Sequence, residues 1–217
     1  MAIKLETEHL CIEPFTNDDV CRIKELANDK ELANILGLPH PYKLEFAQDW
    51  IDMQPELIKS GIEYPLGIVS KELREIVGTI TLRIDKGNNR GELGYWIGKN
   101  YWGKGFATEA VNRMIHFGFI ELGLNKIWAS ALSRNRSSIK VLEKAGLRKE
   151  GTLRQNRLLL NTYEDVDVYG ILKTDIGAFD ANMTPAEGAK NIYDWVIDSN
   201  EDVSGKFIEP GVGELKW

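Results

Sequence analysis

A glycine-punctuated turn stands between an extended run and a strongly periodic helical run, and it restricts the fold of these 217 residues more tightly than anything else in them. The run Gly94-Tyr-Trp-Ile-Gly98 leads into Trp102-Gly103-Lys104-Gly105-Phe106-Ala107-Thr108. From Ala107 onward, Val111, Met114, Ile115, Gly118 and Leu122 recur at intervals of three and four. That spacing lays one apolar stripe along a helix, and Gly123 closes it in the usual place for a C-cap. Gly103 and Gly105 allow a tight turn and a close backbone approach to a ligand, because no Cβ intervenes. The helix opens with unpaired N–H groups at the positive end of its dipole, an anion site suited to a pyrophosphate. The turn is not a Walker loop, since GxxxxGK(S/T) is absent. Nor is it GxGxxG, because Thr108 occupies the third glycine position. A helix-initiating turn with no ligand fits the same residues.

The segments around this turn set the fold class. Leu5 to Pro14 alternates loosely and reads as a strand, and Thr16-Asn17-Asp18-Asp19 caps a helix over about 17–29 whose buried face carries Val20, Ile23, Leu26 and Ala27. Pro39-His40-Pro41 is extended, and a second helix presents Phe46, Trp50 and Ile51 on one face. Pro65 to Ser70, Ile76 to Ile84 and Gly91 to Gly98 read as an antiparallel meander, with a turn at Lys86-Gly87-Asn88-Asn89. Lys126 to Leu132 is a strand, Ser137 to Ala145 a short helix stopped by Gly146, and Leu153 to Leu160 and Asp165 to Leu172 are the last strands. The expected class is α+β: a mixed, mostly antiparallel sheet of six or seven strands with flanking helices.

Charge and cysteine content exclude several functions. A formal net charge of -6 argues against a general nucleic-acid coat, although a local basic groove stays open. Cys11 and Cys21 form no CxxC pair, so neither a disulfide scaffold nor a zinc site is expected, and no metal is assigned. No run approaches a membrane span and the first residues hold no apolar signal core. The expectation is a soluble, cytoplasmic protein with reduced thiols and no membrane partner.

With these motifs in order, the chain resembles the GNAT superfamily of acetyl-CoA-dependent N-acetyltransferases, in particular its ribosomal-protein N-terminal acetyltransferase (RimJ/RimL-like) branch, over about residues 5–172. The family's motif Gln/Arg-x-x-Gly-x-Gly/Ala is met by Asn100-x-x-Gly103-x-Gly105, with Asn100 departing at the first position. A second block, Asn135-Arg-Ser-Ser138-Ile-Lys-Val141-Leu-Glu-Lys144-Ala-Gly146-Leu147, is similar too, as are Leu38-Pro-His-Pro-Tyr42 and Tyr163-Glu-Asp-Val-Asp-Val-Tyr169. The resemblance implies two parallel strands, about 92–98 and 126–132, splayed into a V around the pantetheine arm of acetyl-CoA. It implies a backbone N–H near Ile97 at the thioester carbonyl, contacts from Trp96 and Gly98, and a diphosphate held by Trp102, Gly103, Lys104, Gly105, Phe106, Ala107 and Thr108. Asn135, Ser138 and Lys144 would also meet the cofactor.

Direct transfer needs a base for the attacking amine and a proton for the leaving thiolate. Glu92, on the strand entering the V, is the candidate base, against a solvent-facing strand glutamate. Ser138 is the candidate donor to the sulfur, against a hydroxyl that merely satisfies helix N–H groups. Tyr163 is an alternative acid, against a structural tyrosine; the Glu164-Asp165-x-Asp167 cluster is a candidate lining for a cationic amine, against a solvated turn; and His40 is a candidate acceptor contact, against a packed loop residue. The acceptor would be a primary amine, either a protein N-terminus or a small molecule. A non-catalytic CoA-binding or protein-interaction module on the same fold is the alternative.

Residues 1–173 would form the acetyltransferase domain and 174–217 an appendage, with a helix over about 184–198 after Thr184-Pro185. The segment from about 172 to 217 resembles the tail of short-chain dehydrogenases but carries neither TGxxxGxG nor a Tyr-x-x-x-Lys pair, so no oxidoreductase activity is implied. Packing on the domain, or a homodimer contact, is its expected role.

Overall fold

The first apolar stretch folds back on itself instead of running as one strand. In the computed structural model, which describes residues 3–175 and the backbone of two short strands beyond them, β1 (Leu5–Glu6) and β2 (Leu10–Glu13) are antiparallel partners. Between them Leu10 N donates to Thr7 Oγ1 at 2.9 Å and fixes the turn. The meander follows as β3 (Glu63–Ser70), β4 (Glu75–Asp85) and β5 (Arg90–Ile97). After it come β6 (Lys126–Leu132), β7 (Arg148–Leu159) and β8 (Thr162–Leu172). The order is β1-β2-β3-β4-β5-β6-β8-β7, eight strands rather than six or seven, because the opening segment supplies two. Every neighbouring pair is antiparallel except β5–β6.

Helices cover the sheet. A 3-10 turn, Asn17–Asp19, leads into α1 (Val20–Ala27), and Thr16 donates through both N and Oγ1 to Asp19 Oδ2. α2 (Lys30–Leu36) was not expected from the sequence; Asp29 Oδ1 caps it by accepting from Glu31 N and Leu32 N, each at 2.9 Å. α3 (Leu44–Asp52) and α4 (Gln54–Ser60) follow. Val20, Ile23, Leu26 and Ala27 of α1 pack with Ala47 and Ile51 of α3, Tyr42 and Ile76, and Trp50 and Trp96 lie against the same cluster. Phe46 is largely outside it.

α5 (Phe106–His116) packs across β2, β4 and β5 and buries Ala110, Val111, Met114 and Ile115. The expected stripe then changes character, because Phe117–Glu121 widen into a π-helical turn that buries the consecutive residues Phe117, Gly118 and Phe119. α6 (Arg136–Lys144) follows β6. Cys11 is buried and Cys21 exposed, both free thiols. Among the described residues no helix is long and apolar enough to cross a membrane.

The chain divides into two compact units, Met1–Ile176 and Gly177–Trp217. In the second, Ile208–Glu209 pairs antiparallel with Gly213–Glu214. The helix expected over about 184–198 and most of the segment from about 172 to 217, whose likeness to a dehydrogenase tail no relative supports, lie outside the described residues.

Candidate active site

The parallel pairing of β5 with β6 lasts for only three residue pairs, ending at Glu92↔Trp128. Beyond it the strands part, leaving an open backbone edge. Which groups face the gap follows from the β4–β5 ladder. Gly98 N donates to Val77 O at 2.8 Å, so by the two-residue period Trp96, Gly94 and Glu92 also bond toward β4. Leu93 N–H closes the last rung of the parallel ladder against Trp128, so the C=O of Leu93 and the N–H and C=O groups of Tyr95 and Ile97 point into the cleft. Ile97 O is occupied, accepting from the Trp102 indole Nε1 at 2.6 Å, while among the described residues no hydrogen bond engages Ile97 N–H. The amide of Gly98, a candidate cofactor contact, is spent on the sheet, and a Cβ there would meet Leu26 Cδ2 at 2.7 Å.

The glycine turn is pinned from both sides. Tyr101 Oη donates to Glu75 Oε1 at 2.6 Å and accepts from Arg22 Nη2, tying the turn to β4 and α1. Lys99 pairs with Glu31 of α2 at 2.8 Å. Gly103 and Gly105 adopt φ of +77° and +86°, and no heavy atom lies within 4 Å of a Cβ built on either. The left-handed backbone explains the glycines locally, and the space above them is open. No side chain caps α5, so among the described residues the N–H groups of Phe106, Ala107 and Thr108 have no partner. Lys104 is exposed, its Nζ above the Tyr101 ring. A bare helix N-terminus, a turn clear of side chains and a free strand edge together fit a diphosphate carrying an amide-bearing arm.

Across the cleft, Asn135 is the N-cap of α6, its Oδ1 accepting from Ser138 N at 3.1 Å. Its side-chain oxygen thus has a helix-capping task that the sequence reading had not assigned. Ser138 Oγ lies 2.9 Å from Tyr95 Oη. Tyr95 is the residue that sequence reasoning passed over; its place between Gly94 and Trp96 on the parted strand was the available signal. Burial pushes its phenol up to about 12, against a weaker opposite pull from Ser138, so it holds its proton at neutral pH. Lys144 sits in the last turn of α6, the far end of the helix from Ser138.

Glu92, Tyr95, Trp96 and Ser138 line one cavity of about 320 Å³. Glu92 is half-buried, and among the described residues nothing hydrogen-bonds or ion-pairs with its carboxylate. Trp96 lines the cavity and also lays its ring on the α1–α3 cluster, on the sheet face it shares with Thr79, Thr81 and Glu92. Arg83 and Arg157 also line the cavity, and neither was foreseen.

Three further candidates lie outside the cavity or are engaged elsewhere. Tyr163 is an exposed residue of the β7–β8 hairpin and does not line the cavity. His40 is exposed and outside the lining. The acidic cluster is structural: Glu164 pairs with Arg134 at 2.8 Å, Asp165 Oδ1 accepts from Gln155 N, and Asp167 is buried. Asp167 accepts from Ser133 Oγ and Thr152 Oγ1 and pairs with Lys149. Burial alone would raise its carboxyl, but the bonds from Thr152, Lys149 and Ser133 prevail and hold it at about 2. That value lies below the unfolded one of about 3.9, so the stabilisation is complete above about pH 4 and fades as pH falls toward 2. Asp167→Asn is expected to lower the unfolding free energy by about 2–3 kcal/mol at neutral pH. Denaturant melts should show the gap to wild type closing below pH 4; a constant gap contradicts the assignment. Among the described residues no group of three or more His, Cys, Asp or Glu is placed to hold a metal ion.

A splayed parallel pair over a glycine turn defines the acyl-CoA N-acyltransferase architecture, and the comparisons agree. The family model described as "Acetyltransferase (GNAT) domain" matches residues 9–148, and the chain belongs to that family. It is 34% identical over 172 residues to Uncharacterized N-acetyltransferase p20 of Bacillus licheniformis, covering 79% of this chain and 97% of that one. It is 30% identical over 96 residues to the Ribosomal-protein-serine acetyltransferase of Escherichia coli, covering 44% and 54%. The solved Ribosomal-protein-S5-alanine acetyltransferase from Vibrio fischeri superposes with a TM-score of 0.71 at 25% identity, over 80% of this chain and 98% of that one. The protein is an acetyl-CoA-dependent N-acetyltransferase acting on an amine.

Proposed function

We propose that one cleft divides the work of amine acetylation between Glu92 on one side and the Tyr95–Ser138 pair on the other. The observation that carries this reading is that all three line the same cavity where β5 leaves β6. When bound, acetyl-CoA supplies the acetyl group as a thioester, so that a C–N bond forms as the C–S bond breaks, one proton leaving the amine and one reaching the sulfur. Residues 103–108 hold the diphosphate, the open edge from Leu93 C=O through Tyr95 to Ile97 holds the arm, and Ile97 N–H holds the thioester carbonyl. Glu92 takes the proton from the amine, directly or through one water. As the C–S bond breaks, Ser138 Oγ gives its proton to the sulfur and takes one from Tyr95 Oη, which solvent then restores. The acceptor is a primary amine of a protein N-terminus or of a small molecule, and similarity to the ribosomal-protein enzymes supports the RimJ/RimL-like branch.

Release of free thiol from acetyl-CoA in the presence of an amine and peptide panel tests the reading. A binding module would be stabilised by acetyl-CoA and release none. Tyr95→Phe and Ser138→Ala are each expected to lower kcat about ten- to a hundredfold, with the double variant little worse than either single one. Fully additive losses would mean that the two hydroxyls do not act as a unit.

A further inference from the structure

The acceptor cavity has a charge pattern that a purely cationic acceptor does not match. Its lining includes two arginines, Arg83 and Arg157, and one carboxylate, Glu92. Arg83 Nε is compensated by Glu63 Oε1 at 3.1 Å, and its Nη1 lies 3.7 Å from where a Cβ on Gly94 would stand. Glu63 thus steadies the guanidinium over the strand that carries Glu92. Arg83 and Glu92 are direct cross-strand partners.

Arg157 differs. It reaches from β7 to the end of α2, where its Nη2 donates to Leu36 O at 2.9 Å. That partner is a neutral carbonyl, and no ion pair among the described residues offsets the charge. A single carbonyl engages only one edge of the guanidinium and leaves the other edge as a fork for a planar anion. On the floor, buried Thr79 and Thr81 line the same cavity, and among the described residues no hydrogen bond engages either hydroxyl. A polyamine would bring several cations to a wall with one carboxylate and two guanidinium groups. An acceptor with one amine and one nearby anion satisfies both signs.

We propose that the acceptor carries a carboxylate or similar compact anion close to its reacting amine, held by Arg157 with Arg83 beside it, while the amine lies at Glu92. The inference rests on the transfer reading above and names the substrate class of that same cleft. The anion has two sources, the α-carboxylate of a free amino acid or an acidic side chain next to a peptide N-terminus.

Thiol release from acetyl-CoA separates them. One arm compares L-amino acids with their carboxamides. The other compares C-terminally amidated tripeptides bearing Asp or Asn at the second position, and spermidine is the polycation control. In the arm that supplies the acceptor, the acid is expected to exceed its neutral partner about ten- to a hundredfold in kcat/KM. Arg157→Gln should erase that preference through KM, with acetyl-CoA affinity unchanged, and Arg157→Lys should restore part of it. Equal turnover of acid and amide in both arms, a marked preference for spermidine, or a preference that survives in a folded Arg157→Gln would overturn the inference while transfer stands. Thiol release from no amine would overturn the transfer reading and this inference together. If Arg157→Gln fails to fold, the acid-against-amide comparison on the wild-type protein decides alone.

Discussion

Gly105→Val is expected to reduce acetyl-CoA affinity at least a hundredfold, the largest loss from any single substitution in the donor half of the cleft. Two effects combine. At φ of +86° a β-branched residue strains the backbone, and its methyl groups enter the open space above the turn, where a diphosphate would meet the bare N–H groups of α5. Strain alone could produce the result by moving the turn, so Gly105→Asn is the sharper variant. Asparagine tolerates the left-handed region yet still fills the cradle. Calorimetric titration should show Gly105→Asn melting within a few degrees of wild type and binding acetyl-CoA at least tenfold more weakly. A folded Gly105→Asn with wild-type affinity would remove the diphosphate from this turn.

Glu92→Gln is expected to lower kcat at neutral pH by about a hundred- to a thousandfold, within the range of general-base catalysis. Acetyl-CoA affinity should stay within about twofold, because the donor edge is formed by the backbone of Leu93, Tyr95 and Ile97. Glutamine keeps the size and loses the proton acceptor. Much of the deficit should return at high pH, where the free amine needs no base. A variant with wild-type turnover at neutral pH would remove Glu92 from the chemistry. A variant that loses acetyl-CoA binding would recast it as structural.

The frame proposed to seat the donor was legible because its signals are local. Strand, glycine turn and periodic helix are contiguous, and positive φ at Gly103 and Gly105 is the one conformation that demands glycine there. The meander and β6 were legible for the same reason, alternation between turns. The acceptor half was less so. Arg157 meets Leu36 across 121 residues, a contact that no spacing rule anticipates. Asp167 read as part of a solvated turn because its partners come from Ser133, Thr152 and Lys149, all outside its own segment. Tyr95 was hidden by its neighbours, since its importance arises only where β5 loses β6 as a partner. α2 had signals that went unused, Asp29 as a cap and Gly37 at φ of +75° beyond its last turn.

The reach of Arg157 from the β7–β8 hairpin to the end of α2 separates the two halves of the enzyme along the chain. On the proposed reading the donor seat is written in one passage near the middle, while Arg157 of the chamber's far wall comes from a hairpin encoded later. Divergent copies of such a gene can therefore explore new acceptors by editing that hairpin alone, with the machinery for loading the acyl donor carried along unaltered.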